Sequence, residues 1–243
     1  MKPLPPFVIA ALFALLPACG EDTVQLSGRV LQGLEQDAVA AQATLQVLSW
    51  EDDAVLGEAT TDADGTFAVE VPTSRNVFLR LDHAGARTTT FAGVVSLFDE
   101  AIPDGYLYTL PEADAAELEA LFEGCPGGEG EGMVVGEVLH QDLVDRDGEP
   151  VRNAGAQVTL ELADGSEQHA CYLDEEGEAY DPDALLVGAS ARFAVMGVPA
   201  GRHTLVVAYD ASLTQRQVET YPVLMVEQPS VSPWFPAWVT LPE

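Results

Sequence analysis

Two short acidic stretches are the first candidates for chemistry, because closely spaced carboxylates can bind calcium. They are residues 62–65 (DADG) and 145–148 (DRDG). An EF-hand loop needs acidic ligands at positions 1, 3 and 5, glycine at 6 and glutamate at 12. Counting back from either glycine places Thr60 or Leu143 at position 1, and neither register has glutamate at position 12. Asp and Gly also favour tight turns, so we interpret both stretches as turns and leave weak calcium binding of another kind open.

No other residues have the spacing of a catalytic or metal-binding motif. The chain has no His-Glu-x-x-His sequence, and no histidine has a glutamate three residues later. A metal site would need His140 to meet Asp142, or His169 to meet Cys171, in space. Residues 188–192 (GASAR) lack the final glycine of the Gly-x-Ser-x-Gly motif that presents a nucleophilic serine. We therefore predict no catalytic residue, no metal, no cofactor and no enzymatic activity.

The first cysteine follows an N-terminal apolar segment. Residues 7–16 (FVIAALFALL) come after a short start that contains Lys2. Ten apolar residues are too few to span a bilayer, which takes about 20, but they have the length and flanks of a secretory signal peptide. The sequence 16–19 (LPAC) resembles the lipobox of bacterial lipoproteins, with a leucine three residues before the cysteine and a small residue directly before it.

The lipobox resemblance implies a lipid anchor. It implies that residues 1–18 are removed, that Cys19 carries a thioether-linked diacylglycerol, and that the new N-terminus is acylated. Two or more acyl chains anchor a protein stably. Gly20 stands where an aspartate would favour the inner membrane, so we expect a cell-envelope protein, by default in the outer membrane, with 19–23 as a tether. The alternative is a soluble secreted protein with Cys19 in a disulfide.

The mature chain would be strongly acidic and would contain no lysine. Residues 1–18 carry Lys2 and no acid, so their removal leaves nine arginines against 40 acidic residues, a formal charge of −31. Nucleic-acid binding depends on Lys and Arg contacts with phosphates, so nucleic acid is excluded as a partner. Without lysine the chain can form no Schiff base, no P-loop contact through lysine and no isopeptide cross-link. The charge favours solubility.

The two remaining cysteines are candidates for a disulfide. Cys125 and Cys171 would lie beyond the inner membrane, where disulfides persist. A bridge that closes a loop of about 47 residues would be worth about 4 kcal/mol in the chain-entropy description. The alternative is two reduced thiols, because Cys125 lies in a glycine-rich stretch.

Short β-branched and aromatic runs, separated by Asp-Gly and Pro-Gly signals, predict an all-β protein. The runs recur in the same order in both halves of the chain. They are 24–31, 43–50, 66–71 and 76–82 in the first half, and 133–140, 156–164, 191–198 and 202–210 in the second. The turn at 62–65 corresponds to 174–177, and the second half carries an insertion at about 179–190. The sequence therefore predicts two related sandwiches in tandem, at 24–98 and 133–227.

Three motifs carry a family resemblance. They are Gly-x-Val at the opening of a strand, Asp-x-x-Gly-x-Phe, and residues 198–206 (VPAGRHTLV). Together they are similar to the carboxypeptidase regulatory-like domain, a transthyretin-like seven-stranded sandwich, and to the B-type repeats of collagen-binding adhesins. The resemblance implies two transthyretin-like (prealbumin-like) β-sandwiches that serve adhesion, spacing or protein contacts without catalysis. The first copy departs from the pattern, with 71–79 (VPTSRNVFL) where a glycine is expected.

Residues 99–132 are predicted to link the sandwiches and to contain one short helix. Thr109 and Glu112 have the spacing of a capping box at its start. The glycine-rich stretch 124–132 has the composition of a flexible linker. A narrow apolar stripe on the helix consists of Leu118, Leu121 and Phe122.

The C-terminal segment 228–243 concentrates aromatic side chains, which are enriched at contact sites. We treat them as candidates for contact with a glycan or another ligand. The alternative is a final strand or strap that covers a sandwich edge or the seam between domains, and Trp50 is likewise predicted to belong to the core. The three aromatic residues are Trp234, Phe235 and Trp238.

These observations predict a non-enzymatic, membrane-anchored lipoprotein of the cell envelope that acts as a structural or protein-binding module. Its envelope or extracellular protein partner is not specified by the sequence. The rival hypothesis is a glycan-binding surface lipoprotein that uses the C-terminal aromatic residues.

Overall fold

The computed structural model describes residues 23–33, 38–72, 76–92, 107–144, 150–212, 215–226 and 229–239. The first part of the chain forms β1 (Thr23–Gln32), β2 (Ala38–Val39), β3 (Thr44–Ser49), β4 (Val55–Thr60), β5 (Thr66–Pro72), β6 (Val77–Asp82), β7 (Ala86–Ala92), β8 (Leu107–Pro111) and helix α1 (Glu112–Leu121). The second part forms β9 (Gly132–Val144), β10 (Pro150–Arg152), β11 (Gln157–Glu161), β12 (Glu167–His169), β13 (Cys171–Tyr172), β14 (Arg192–Val198), β15 (Gly201–Ser212), β16 (Gln215–Met225) and β17 (Ser230–Val239). The fold is all-β, as predicted.

The first sandwich consists of two facing sheets. One is the antiparallel sheet β4–β3–β6–β7. In the other, β1 pairs antiparallel with β5 on one side and parallel with β8 on the other. The residues of β5 show why two layers form, because Phe67, Val69 and Val71 are buried while Ala68 and Glu70 between them are exposed. This alternation gives the strand one face for the core and one for solvent.

The second sandwich repeats these pairings. β9 pairs antiparallel with β14 and parallel with β17, as β1 does with β5 and β8. The strands β12–β11–β15–β16 form the facing antiparallel sheet. The two halves of the chain therefore share one set of strand pairings. The short strand β13, just before the predicted insertion, is an addition that pairs with the outer edge of β14.

The last strand of the first sandwich, β8, lies in the predicted linker 99–132. The last strand of the second sandwich, β17, lies in the segment 228–243, for which a final strand or strap at an edge or at the seam was one of the two interpretations. β17 contains Pro233 and Pro236, and proline normally argues against a strand that is paired on both sides. The chain accommodates Pro236 at a register shift between Trp234 and Ala237.

β17 also joins the two sandwiches. At its start it runs parallel to β7 of the first sandwich, where Ser230 is opposite Thr88 and Val231 is opposite Thr89. Further along it runs parallel to β9, from Val231 to Val239. One sheet therefore continues through both sandwiches in the order β4–β3–β6–β7–β17–β9–β14–β13.

The helix covers the outer face of this continuous sheet. In β9, Val134 and Val138 point to the second core, while Met133 and Val135 pack with residues of the helix. The first part of β9 is therefore apolar on both faces, which is what a strand covered on both sides requires. The predicted apolar stripe of the helix lies in this contact, with Phe122 buried and Leu118 and Leu121 partly buried.

The predicted capping box is wrong. The helix begins at Glu112 with Pro111 as the N-cap, and no side chain caps it. Thr109 instead lies in β8, where it is opposite Gln32 of β1 and its carbonyl accepts a hydrogen bond from the Gly33 N–H at 2.9 Å. Because β8 continues to Pro111, the helix begins two residues too late for Thr109 to be its N-cap.

One arginine attaches the helix to the first sandwich. Arg87 of β7 binds Glu112 at 3.2 Å and Glu119 at 2.6 Å. Glu119 lies near the negative end of the helix dipole, and the guanidinium beside it compensates this unfavourable position.

The glycine-rich stretch after the helix is packed against β14 and does not serve as the flexible linker that its composition predicts. The Gly128 N–H donates to the Met196 carbonyl at 3.0 Å, and the Gly130 N–H donates to the Gly197 carbonyl at 2.9 Å. A methyl group on Gly128 would lie 2.5 Å from the Gly197 oxygen. These glycines are therefore needed for close approach of two backbones.

Candidate functional site

A candidate site lies where the two sandwiches meet. Trp50, directly after β3, stacks on Phe78 of β6 with ring centroids 5.3 Å apart and planes 16° apart. Arg202 of the second sandwich places its guanidinium carbon 5.9 Å from the centroid of the Phe78 ring. Phe78 is fully buried and packs with the core of the second sandwich. An aromatic pair and a cation–π contact therefore fix this end of the junction.

An ion pair crosses the junction at the same place. Arg202 binds the Asp53 carboxylate at 2.7 Å, and the same guanidinium donates to the Ser49 carbonyl at 3.3 Å. Both charged side chains are partly exposed, so the pair contributes at most about 1 kcal/mol. Asp53 has a positive φ of 59° in the turn after Trp50. The main effect of the ion pair is to orient Arg202 toward the first sandwich.

Beside these contacts the two sandwiches enclose a cleft of about 500 Å³. This volume is within the range of small-ligand sites, which often lie between domains. Trp50, predicted to belong to the core, is half-buried and forms one wall. The second sandwich contributes the residues of the other wall, which include Glu161, Leu162, Glu167, His203, Thr204 and Pro222.

One row of residues crosses the four-stranded sheet at this wall. Glu167 of β12 is opposite Glu161 of β11, which is opposite Thr204 of β15, which is opposite Pro222 of β16. Directly opposite residues of antiparallel strands project from the same face of a sheet. All four line the cleft, and the two glutamates place a pair of carboxylates there.

His203 forms part of the cleft wall in a neutral, fixed state. Its Nδ1 accepts a hydrogen bond from the Ala163 N–H at 3.2 Å, and its Nε2 lies 2.8 Å from the Pro199 carbonyl, so Nε2 carries the proton. Burial lowers the pKa of His203, against smaller opposing effects of the Pro199 carbonyl and Asp164. The imidazole is therefore a structural bridge between the loop at 162–166 and the start of β15.

The acidic turns are built as the sequence indicates. The Asp62 carboxylate accepts hydrogen bonds from the Thr66 hydroxyl at 2.6 Å and from the Asp64 N–H at 2.9 Å. The Thr66 hydroxyl is the main reason that the pKa of Asp62 is lowered. Asp174 forms the corresponding turn of the second sandwich, where it accepts from the Glu178 N–H at 2.8 Å. The second stretch, 145–148, lies outside the described residues.

The other predicted site residues are distributed as follows. Cys125 and Cys171 form a disulfide, with Cα atoms 5.9 Å apart, which ties the end of the linker to β13. The backbone of residues 234–238 lies in β17 at the junction of the sandwiches. The side chains of Trp234, Phe235 and Trp238 lie outside the described part of the structure. Cys19 lies outside the described residues.

Of the two proposed metal pairs, His169 and Cys171 are not assembled as ligands, because Cys171 is in the disulfide; the side chain of Asp142 lies outside the described part of the structure. His140 lies 3.3 Å from the Asn153 amide, and His169 lies 3.4 Å from the Thr159 hydroxyl. Across those ranges no group of three or more His, Cys, Asp or Glu side chains is arranged to hold a metal ion.

Sequence reasoning missed the cleft. Glu161 and Glu167 belong to two strands, and Trp50 belongs to the other sandwich, so no sequence spacing connects them. The repeated pattern of the two halves predicts that two sandwiches exist. It does not predict how they meet, and the cleft depends on that.

No protein-family model matches this chain, and no curated protein matches it. The family resemblance therefore stays a prediction. No helix in the described ranges has both the length and the apolar character needed to cross a membrane.

Several solved structures show a distant likeness. The TIE protein of Bacillus anthracis is 12% identical, with 88% of this chain and 33% of that chain covered and a TM-score of 0.31. The minor pilin GBS52 of Streptococcus agalactiae is 12% identical, with coverages of 89% and 94% and a TM-score of 0.26. The shaft pilin SpaA of Lactobacillus rhamnosus GG is 10% identical, with coverages of 88% and 96% and a TM-score of 0.24.

This chain thus spans about a third of the length of the Bacillus anthracis protein. Structural similarity at these TM-scores is too low to establish the fold or the function of this chain. The fold is assigned from the strand pairing of the chain itself.

Proposed function

We propose that this protein is a non-enzymatic structural and protein-binding module of the cell envelope, held at the membrane by a lipid on Cys19. The observation that carries the structural part is β17, which pairs with β7 and with β9. A strand shared by two sandwiches resists hinge motion between them, because bending would break backbone hydrogen bonds. A stiff pair of sandwiches on a short tether is suited to hold a binding surface at a defined distance from a bilayer.

The anchor and the location are supported by the N-terminal sequence and by the cysteines. Residues 16–19 (LPAC) have the lipobox pattern, and Gly20 favours the outer membrane. The disulfide between Cys125 and Cys171 fits a compartment where thiols are oxidised. The acidic, lysine-free mature chain favours a protein partner over nucleic acid.

Mass spectrometry of the protein purified from its native membrane tests the anchor. We expect an N-terminal peptide that begins at Cys19 and carries the added mass of acyl chains. The matched control is Cys19→Ser, which should lose the acyl mass and leave the membrane fraction. An unmodified wild-type chain, cleaved at another position and recovered in soluble form, would contradict the anchored function.

A glycan-binding surface protein is the second candidate. Its support is the position of residues 234–238, three of them aromatic, in the strand that joins the sandwiches. Quenching of tryptophan fluorescence by an oligosaccharide panel tests it. The quenching should disappear in Trp234→Ala or Trp238→Ala and persist in Trp50→Phe.

A further inference from the structure

Two glutamates of the cleft form an unrelieved like-charge pair. Glu161 and Glu167 are directly opposite each other on β11 and β12, and both are exposed. Like charges at such positions destabilise a sheet. Within the part of the chain that the structure describes, neither carboxylate has an ion-pair or hydrogen-bond partner. A cation in the cleft would remove this repulsion.

The arginine that lines the cleft forms its ion pair elsewhere. Arg202 is directed to the first sandwich by its contacts with Asp53 and the Ser49 carbonyl. Its guanidinium, 5.9 Å from the centre of the Phe78 ring, shows that this junction accommodates a cation against an aromatic ring. The carboxylate pair remains available to a cation from outside.

The opposite wall adds an aromatic surface. Trp50 is half-buried, and its ring is held in place by stacking on Phe78. Tryptophan is the best aromatic partner for ammonium and guanidinium groups. Carboxylates on one wall and an indole on the other are the groups that recognise a cationic side chain. A neutral sugar would gain from the indole but would leave the carboxylate repulsion in place.

We propose that this junction cleft binds a basic segment of a protein partner, with an Arg or Lys side chain between Glu161 and Glu167 and against Trp50. The volume of about 500 Å³ is enough for such side chains. The formal charge of −30 for the whole chain attracts a basic segment over a distance. This inference rests on the proposed protein-binding function, since it names the chemistry of the partner.

Calorimetric titration of the purified full chain with a capped Gly-Arg-Gly-Arg-Gly peptide tests the cleft. We expect the double variant E161Q/E167Q to raise Kd about ten-fold and Trp50→Phe to raise it about three-fold. The matched control is E70Q/E117Q, which removes two exposed carboxylates from β5 and the helix. This control should change Kd less than about two-fold, because distant exposed charges are screened by salt.

Two results would overturn the proposal. Equal weakening by E161Q/E167Q and by E70Q/E117Q would mean that the peptide binds the acidic surface in general. Binding of a neutral oligosaccharide that depends on Trp50 and not on Glu161 or Glu167 would make the cleft a glycan site. The titration does not involve the lipid, so its failure is distinct from loss of the Cys19 anchor, which mass spectrometry detects.

Discussion

The Thr90 hydroxyl donates a hydrogen bond of 2.6 Å to the Leu224 carbonyl, although 134 residues separate the two in sequence. Thr90 lies in β7 of the first sandwich and Leu224 in β16 of the second, and both are buried. The bond is formed close to the place where β17 enters between the sandwiches. It thus adds a side-chain link to the backbone link that β17 provides.

Replacing Thr90 with valine keeps the shape of the side chain and removes the donor. We expect Thr90→Val to lower the free energy of unfolding by about 1 kcal/mol, because a buried carbonyl loses one hydrogen bond. Urea denaturation measures the change. The matched control is Thr220→Val, an exposed position in the same strand as Leu224, which should have little effect. Equal midpoints for Thr90→Val and the wild type would mean that the bond does not stabilise the junction.

Reduction of the disulfide should loosen the end of the linker. The bridge between Cys125 and Cys171 closes a sequence separation of 46 residues, and the chain-entropy description gives a loss of about 4 kcal/mol as an upper value. Urea denaturation with and without a phosphine reductant measures it. In the variant Cys125→Ala/Cys171→Ala the reductant should have no effect. A wild-type midpoint that is unchanged by reduction would contradict a stabilising bridge.

The strands that local pattern predicts are those in which β-branched and aromatic residues occur in runs. The run 24–31 became β1, and the run 191–198 became β14, each within a residue at either end. Runs of this kind do not predict β8, and they left a strand at β17 as only one of two interpretations. β8 passes directly into a helix, and β17 contains two prolines, so their strand structure depends on parallel pairing with β1 and β9. Such pairing is non-local and leaves no periodic signal.

In the candidate site, too, the sequence predicts local features and does not predict non-local ones. The Asp62 turn is local, and its hydrogen bonds lie within the sequence stretch that predicted it. The cleft depends on how two sandwiches meet, and its walls come from positions as distant as Trp50 and Glu161. Composition also misled at the glycines of 124–132, because glycine serves close packing as well as flexibility.

The close packing of those glycines is testable with one methyl group. In Gly130→Ala the new methyl group would overlap the backbone carbonyl of Val198, so the linker or β14 must move. We expect a loss of about 1–3 kcal/mol in the free energy of unfolding, as for other overpacked sites. The matched control is Gly188→Ala, where the nearest atom would be the Leu173 oxygen at 3.7 Å, and which should be close to neutral. A Gly130→Ala variant as stable as the wild type would restore the flexible-linker interpretation.

His203 should make the stability of the protein depend on pH. Its pKa in the folded protein is lowered, mainly by burial, while the unfolded chain keeps a value of about 6.5. Between these two values the unfolded chain binds a proton that the folded chain excludes. The free energy of unfolding should therefore fall as the pH drops below about 6.5, by at most about 1.4 kcal/mol per pH unit. Above about pH 7.5 both forms are neutral and this dependence ends.

Urea denaturation at a series of pH values between 5 and 8 measures this contribution. His203→Gln removes the titrating group, so its stability should fall less steeply with acid than that of the wild type, whatever its stability at neutral pH. His140, whose pKa burial also lowers, is present in both proteins and cancels in the difference. Parallel curves for the two proteins would show that the folded protein takes up a proton on His203 at the same pH as the unfolded chain. Burial would then not lower the pKa of His203, and the hydrogen bond from the Ala163 N–H to Nδ1 would not resist protonation.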